Sequence, residues 1–522
     1  MWMSLILSGC FWQRAPGPVP ADIAEGTVAR IGHRVDGPLA WVNLTVRAGS
    51  AHDPIGQEGL AWLTAGMLRE GGAGGRTAEE VEAELYALGT DIDVLVDREQ
   101  VTFRTKCLAE DLDAVADLLG DMVLEPALEA DTMTRLLESA QDWLTRGVTD
   151  SDERLGMAVF DDWLFTGHPY GHPVEGRSGV VGLLTRADVE GFLADRYVRP
   201  AMVVGMAGPM VDGQEILTHA TGAAAAATLI ARLSTETSTN LYRDVTPRPV
   251  PGVSGRSLLV VEKSTEATGL HLGHDTALTP EHTDWPAMVL AMVAFGEHRQ
   301  SHGRLYQALR GTRGLNYGDY AYVGIYRQAG WSSEREPASD RLSSPFYVWI
   351  RPTDAVNGPF ALKAAVTMIE ELAATGLTAD EFTVMQQYLS GRISLWASDP
   401  GRRLGFAVSA TVMGWSDPLD TLPAQIEALT LEQVNAAITR HIRPDDLRIV
   451  AVTGDGAAFI AAVDPDDSEE KQSEGEGSGP SIVYTTAAPE VDSPQHTRDL
   501  EFSRYDLDLK QTSVLTTEEL FR

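Results

Sequence analysis

Apolar residues recur along this chain in two rhythms, and their succession predicts an α+β protein. Leu39 to Ala48 alternates with period two, as a half-buried β-strand does. After a loop at Gly49 to Gln57, Leu60, Leu63 and Met67 fall at i, i+3 and i+7, which puts them on one face of a helix. The run Gly71-Gly72-Ala73-Gly74-Gly75 precedes no Gly-Lys-Ser/Thr, so it reads as a flexible loop rather than a phosphate cradle. Thr77-Ala78-Glu79-Glu80 has the form of a capping box and opens a helix over Ala78 to Leu88. Strands at Asp91 to Val96 and Glu99 to Cys107 come next, then a helix at Leu112 to Met122.

A Pro-rich run, Thr246-Pro247-Arg248-Pro249-Val250-Pro251, then interrupts the pattern, and the second half of the chain partly repeats it. A strand pair (Leu258 to Val261, Gly269 to His274) leads to helices near Pro286 to Phe295 and Arg304 to Arg310. Beyond them lie another strand pair, a long helix at Gly358 to Ala374, and further helices to about His441. The expected organisation is a domain at 27–245, a linker at 246–256 and a second, similar domain at 257–463. Residues 464–480 are acidic and Gly/Ser-rich, a composition that cannot bury enough apolar surface to fold. The closing segment, 481–522, regains alternation at Ser481 to Thr485 and is expected to dock back on the body.

Composition narrows the function. A length of 522 residues, 43% hydrophobic and 22% charged, is enough for about three domains of ordinary soluble composition. Acidic residues outnumber basic ones 75 to 41, a formal charge of -34, which repels phosphate backbones and excludes nucleic acid as the natural partner. The same charge suits either solubility in a saline environment or attraction of basic peptides. Two cysteines, Cys10 and Cys107, build no disulfide framework. Cys10 ends Leu7-Ser8-Gly9-Cys10, which resembles the lipobox of bacterial lipoproteins. The apolar run before it, Met1 to Leu7, is short and lacks a basic leader. Residues 1–10 are therefore expected to be a signal segment acylated at Cys10, and the Pro/Ala-rich residues 11–26 a tether. Cys107 lies in a strand-like stretch and reads as a packing residue.

The stretch Gly59-Leu60-Ala61-Trp62-Leu63-Thr64-Ala65-Gly66-Met67 resembles the signature helix of the pitrilysin/insulinase family of zinc peptidases, in which a Gly-Leu-Ala lead-in runs into H-x-x-E-H. In that motif two His bind zinc and the Glu handles the proton of the attacking water. The matching positions here are Trp62, Ala65 and Gly66, none of which can ligate a metal or move a proton. Leu88-Gly89-Thr90-Asp91-Ile92-Asp93 and Gly167-His168-Pro169-Tyr170-Gly171-His172-Pro173 are similar to further first-domain segments of the family. The family's third zinc ligand corresponds to the stretch Leu136 to Arg146, with Glu138 and Asp142 as nearest carboxylates.

In the second half, the sixteen residues from Gly303-Arg304-Leu305-Tyr306 to Asn316-Tyr317-Gly318 resemble a second family motif, in which an Arg and a Tyr face the zinc across a chamber. Arg310 and Tyr317 match it, and Arg313 is an equally basic neighbour for comparison. The resemblance, spanning roughly residues 27 to 460, implies two homologous α+β domains, each an antiparallel-rich sheet covered by helices, enclosing a chamber with a partner. It implies a non-catalytic, substrate-positioning subunit, with zinc only in a homologous partner that keeps H-x-x-E-H. Peptides would be the substrate. Phe11 after the lipobox Cys, not Asp, points by family analogy to a periplasmic protein anchored in the outer membrane.

Two alternatives stay open. One is a catalytically dead peptide-binding or scaffold lipoprotein of the same fold. The other is an enzyme with a relocated metal site at His298 and His302, which sit at i, i+4 after Glu297. The pair His168/His172 is interrupted by prolines, and His271/His274 has the spacing that points rings to opposite strand faces.

Overall fold

Strand β2 (Leu39–Val46) shows why its sequence folds as it does: Val42, Leu44 and Val46 are buried on one face, while Asn43 and Thr45 face the other. A computed structural model describes residues 29–198, 201–209, 255–324, 337, 340–396, 398–464, 482 and 484–522. Cys10, the tether at 11–26, the run at 246–254 and nearly all of 464–480 lie outside the described residues.

The first half forms β1 (Ala29–Arg34), β2, β3 (Ile92–Val96), β4 (Val101–Leu108) and β5 (Met202–Gly208), in the sheet order β1-β5-β2-β4-β3. The second forms β6 (Arg256–Glu262), β7 (Ala267–Thr276), β8 (Asp319–Val323), β9 (Ser344–Asp354) and β10 (Arg448–Thr453), and a late strand, β11 (Leu509–Thr516), joins them. Their order is β11-β6-β10-β7-β9-β8. Without β11 the two sheets are the same arrangement. In each, the first and last strands pair in parallel (β1 with β5, β6 with β10) and every other pair is antiparallel. The duplicated α+β architecture expected from the repeat pattern is therefore present. β11 is the addition: it pairs in parallel with β6 and makes a new edge.

Helices α1 (Leu60–Glu70), α2 (Ala78–Ala87), α3 (Leu112–Leu124), α4 (Ala130–Asp142), α5 (Asp152–Leu164) and α6 (Arg186–Arg196) belong to the first half. The second contributes α7 (Trp285–Gly296), α8 (Gly358–Thr375), α9 (Ala379–Trp396), α10 (Pro400–Met413), α11 (Pro418–Ala428), α12 (Leu431–His441), α13 (Gly456–Val463) and α14 (Pro494–Arg504). The capping box at Thr77 forms as its spacing predicts. The helix expected at Arg304 to Arg310 is instead one α-turn (Arg304–Tyr306) passing into a π-turn (Gln307–Gly311), closed by the Thr312 N–H on the Gln307 carbonyl.

The halves exchange helices. α5 packs on β7, β9 and β10 of the second sheet, and α10 packs on β1, β2 and β5 of the first. The two helices share Arg-Leu-Gly-x-Ala-Val, at Arg154 to Val159 and at Arg403 to Val408. Each also lies over a strand glycine: Phe160 of α5 above Gly273, and Val408 of α10 above Gly205. With no Cβ beneath them the helices sit directly on the sheet.

The seam between the halves is polar where the sequence suggested strand. Asp97-Arg98-Glu99-Gln100, read partly as strand, is a buried turn between β3 and β4. Arg341 reaches across the seam to Asp97 Oδ1 (3.2 Å) and Asp161 Oδ1 (3.0 Å), while Arg98 donates to Asp161 Oδ2 (2.6 Å) and Glu99 accepts from the Tyr170 hydroxyl. Gln100 Nε2 reaches Ser409 Oγ of α10 at 2.8 Å. Paired in this way, four consecutive polar residues can be buried. Among the described residues no helix is long and apolar enough to cross a membrane.

Candidate functional site

The helix that would carry a zinc motif is fixed at its start by a buried carboxylate. Asp53 Oδ2 accepts from the Gly59 N–H (2.7 Å) and Oδ1 from the Ala61 N–H (2.7 Å), so two of the free amides at the start of α1 are satisfied. Trp62 is half-buried, Ala65 is fully buried, and Gly66 faces α4. A Cβ at residue 66 would lie 3.0 Å from Leu136 Cδ1, so a leucine closes the space where a second imidazole would need to sit. Neither Glu138 nor Asp142 is on that face: both are exposed, and Asp142 pairs with Arg146.

A cleft of 640 Å³ beside Trp62 and Gly66 is lined by Glu70, Glu79, Glu82, Asp91 and Asp93. Four of those five carboxylates are already engaged: Arg69 pairs with Glu82 and Asp91, Arg135 with Glu70, and Arg104 with Asp93. An indole, a methyl group and a hydrogen do not fit zinc. Arg310 and Tyr317 do not line this cleft.

The second motif is built differently. Leu305 and Leu309 are fully buried and anchor the turn, so Arg310 emerges at its end. Its guanidinium donates to the Tyr317 carbonyl and lies 5.1 Å from the Tyr317 ring and 5.4 Å from the Tyr306 ring. Tyr317 is 74% exposed. Among the described residues no carboxylate pairs with Arg310, although most arginines of this acidic chain have one. Arg351, whose partner is Glu153 of α5, stands 5.9 Å from the same ring. An arginine fork and a phenol are thus presented together, both able to donate.

Below them Asp319 is fully buried and has an unpartnered Oδ2. Loss of water pushes its carboxyl up to about 8, against the opposing pull of the Asn316 amide (2.6 Å) and the charges of Arg310 and Arg351.

Arg313 is not the neutral comparison position its charge suggests. It is 3% exposed, its Nε donates to Asp499 Oδ1 at 2.7 Å, and its guanidinium also bonds the Ala308 carbonyl. Its partner comes from α14, far along the chain, so no local signal marks the pairing.

The remaining histidines have separate partners. His168 Nδ1 accepts from the Tyr170 N–H (3.1 Å), whereas His172 Nδ1 bonds the Pro173 carbonyl (2.7 Å), and burial pulls His172 down to about 4. His271 bonds the Tyr347 hydroxyl (2.6 Å); His274 packs on Phe346, the opposite face, and accepts from the Arg443 N–H (3.0 Å). His298 bonds the Tyr322 hydroxyl (2.6 Å), and His302 lies 3.5 Å from Glu297. His298 and His302 therefore share no site.

Among the described residues one group of metal-capable side chains does converge: His282, Asp284 and His441. No pattern in the sequence pointed to it, since the two histidines are distant in the chain. Its donors are already used. Asp284 Oδ2 holds both Arg440 and His441 Nε2 (2.8 Å), and His282 Nδ1 accepts the Asp284 N–H (3.0 Å). A guanidinium on the carboxylate disfavours a cation there.

The profile of insulinase (peptidase family M16) matches residues 33–174, which include α1. An uncharacterized zinc protease of Mycobacterium tuberculosis is 27% identical over 377 residues, covering 70% of this chain and 77% of that protein. Human cytochrome b-c1 complex subunit 1, mitochondrial, is 28% identical over 183 residues, covering 34% of this chain and 37% of the subunit. The crystal structure of a peptidase M16 inactive domain from Pseudomonas fluorescens superposes with TM-score 0.69 at 20% identity, over 84% of this chain and 98% of that one. A protease from Helicobacter pylori gives TM-score 0.69 at 14% identity, over 84% and 100%. These likenesses establish the same two-domain fold. Residues 33–174 therefore resemble an insulinase (M16) peptidase domain, here without the H-x-x-E-H motif.

Proposed function

We propose that this chain is the non-catalytic, substrate-positioning subunit of a heterodimeric zinc metallopeptidase acting on peptides in the cell envelope. A homologous subunit with an intact zinc helix supplies the metal, and the two enclose the chamber in which the peptide lies. The observation that carries this reading is the division within the chain. Arg310 and Tyr317 stand together with free donor capacity, while α1 has neither ligand nor base at positions 62, 65 and 66. Two donors aimed at a peptide carbonyl stabilise its developing oxyanion, each by about 3 kcal/mol. The zinc-protease names of relatives support the reaction class, and the Pseudomonas domain's description as inactive supports a chain without its own metal.

The test uses the assembled pair. Arg310→Ala and Tyr317→Phe should each lower turnover by about 10- to 1000-fold with subunit association unchanged, as loss of one preorganised donor does. Arg440→Ala, on an exposed arginine, is the control. Full turnover in both variants, with association intact by gel filtration, overturns the proposal. An anchor at Cys10 and a periplasmic, outer-membrane position belong to the same reading; release of Cys10→Ala from the membrane fraction, with loss of acyl label, tests them.

A second reading, a scaffold or peptide-binding lipoprotein of the same fold, is favoured by the likeness to a subunit of the cytochrome b-c1 complex. It predicts that no partner's turnover depends on Arg310.

A further inference from the structure

We propose that the C-terminal segment 484–522 is a strap that positions the Arg310/Tyr317 loop, with Asp499 and Thr485 as its two pins. This rests on the reading that those two side chains act together. The loop is held at its middle, not at the residues that would do the chemistry. Asp499 of α14 takes Arg313, three residues after Arg310 and four before Tyr317, in a pair closed to water on both sides. Asp499 Oδ2 accepts from the Tyr484 hydroxyl as well, so one carboxylate ties loop, helix and incoming strap. One residue on, Thr485 Oγ1 donates to the Gly314 carbonyl. Gly314 has φ 66°, and a Cβ there would overlap that same hydroxyl, so the loop's left-handed turn and the strap are fitted to each other.

The rest of the strap is anchored independently. Phe502 meets Phe360 of α8 edge to face at 5.8 Å, and Arg498 holds Glu371 at 2.5 Å. β11 then pairs along β6. The end crosses to the first half, where the Phe521 carbonyl accepts from the Ser178 N–H (2.7 Å) and Phe521 is buried in the first-half core. Two residues before Ser178, Gly176 lies against Glu58 and Gly59 at the start of α1. One segment thus links the loop of the second motif to the entry of the vacated helix. A tail that served only to cover the sheet edge would need β11 and α14 but not the pins on residues 313 and 314.

Hydrogen exchange on the full chain tests this without any partner. In Asp499→Asn, amides of 310–318 should exchange about tenfold to a hundredfold faster, the range expected for losing a hydrogen bond to a charged group. Amides of β7 and β9 should keep their rates, and Asp499→Glu should restore part of the protection. Unchanged exchange at 310–318, or equal loss across the second half, overturns the proposal, the latter by showing a merely structural role. Thr485→Val removes the other pin with little change of shape and decides the matter if Asp499→Asn does not fold. In the assembled pair, Asp499→Asn should lower kcat with little change in KM. Should Arg310→Ala leave turnover intact while Asp499→Asn still frees the loop, the proposed function falls and the strap stands; the reverse result removes the strap alone.

Discussion

At residue 66, where the zinc motif it resembles has an imidazole, Leu136 occupies the approach. Restoring Trp62→His, Ala65→Glu and Gly66→His together should therefore yield a protein that still binds no stoichiometric zinc by elemental analysis. The new imidazole meets the leucine, which should cost about 1–3 kcal/mol as overpacking does. Adding Leu136→Glu supplies a third ligand facing α1, and zinc should then bind. One equivalent of zinc in the threefold variant would mean that α4 yields more easily than its packing implies. The vacancy itself was legible in the sequence, since it lies within nine consecutive residues. Leu136 was not. The choice between Leu136, Glu138 and Asp142 depends on which side of α4 turns toward α1, and the two helices are far apart in the chain. The role of Arg313 was hidden for the same reason: Asp499 reaches it only once α14 has folded back.

Among elements, α5 and α10 carry the most information about the whole, and their shared Arg-Leu-Gly-x-Ala-Val was readable as an internal repeat. The elements that periodicity marked, such as β2 and α3, each bury an apolar face, whereas α5, α6, β5 and β11 were not marked by it. Periodicity does not say which sheet a helix covers, so the exchange of α5 and α10 between the halves was invisible. It makes a specific demand at Gly156, where a Cβ would overlap the imidazole of fully buried His271. Gly156→Ala should destabilise by about 1–3 kcal/mol, against a helix-propensity gain of about 1 kcal/mol that the same change brings in open space. Gly191→Ala in α6, where a Cβ meets nothing within 4 Å, is the matched comparison and should stabilise. Urea midpoints measured on both variants check the pair. Similar shifts in the two would show that α5 is free to lift from β7.

On the scale of the molecule, the buried ion cluster decides how firmly the halves stay together. Burial alone would raise the Asp161 carboxyl, but the guanidinia of Arg341 and Arg98 outweigh it and hold that carboxyl below the usual range. A carboxylate with a depressed native pKa adds stability above its unfolded pKa and loses it as pH falls through the native value, here below about 4. Arg341→Met removes the residue that spans the seam and leaves Asp97 without that guanidinium and Asp161 with Arg98 alone. Breaking a buried pair in this way typically costs about 3–5 kcal/mol at neutral pH. The cost should depend on pH with a definite sign. In the variant, the desolvation of Asp161 is less opposed, its carboxyl rises, and mild acid neutralises a charge that the wild type keeps ionised and paired. The difference in unfolding free energy between wild type and Arg341→Met should therefore shrink from pH 7.5 to pH 4.5, even as the wild type itself weakens in stronger acid. Denaturant titrations at the two pH values measure it. A difference that stays constant would mean that the carboxylates left behind are reached by water, and that the halves are joined by the exchanged helices rather than by charge.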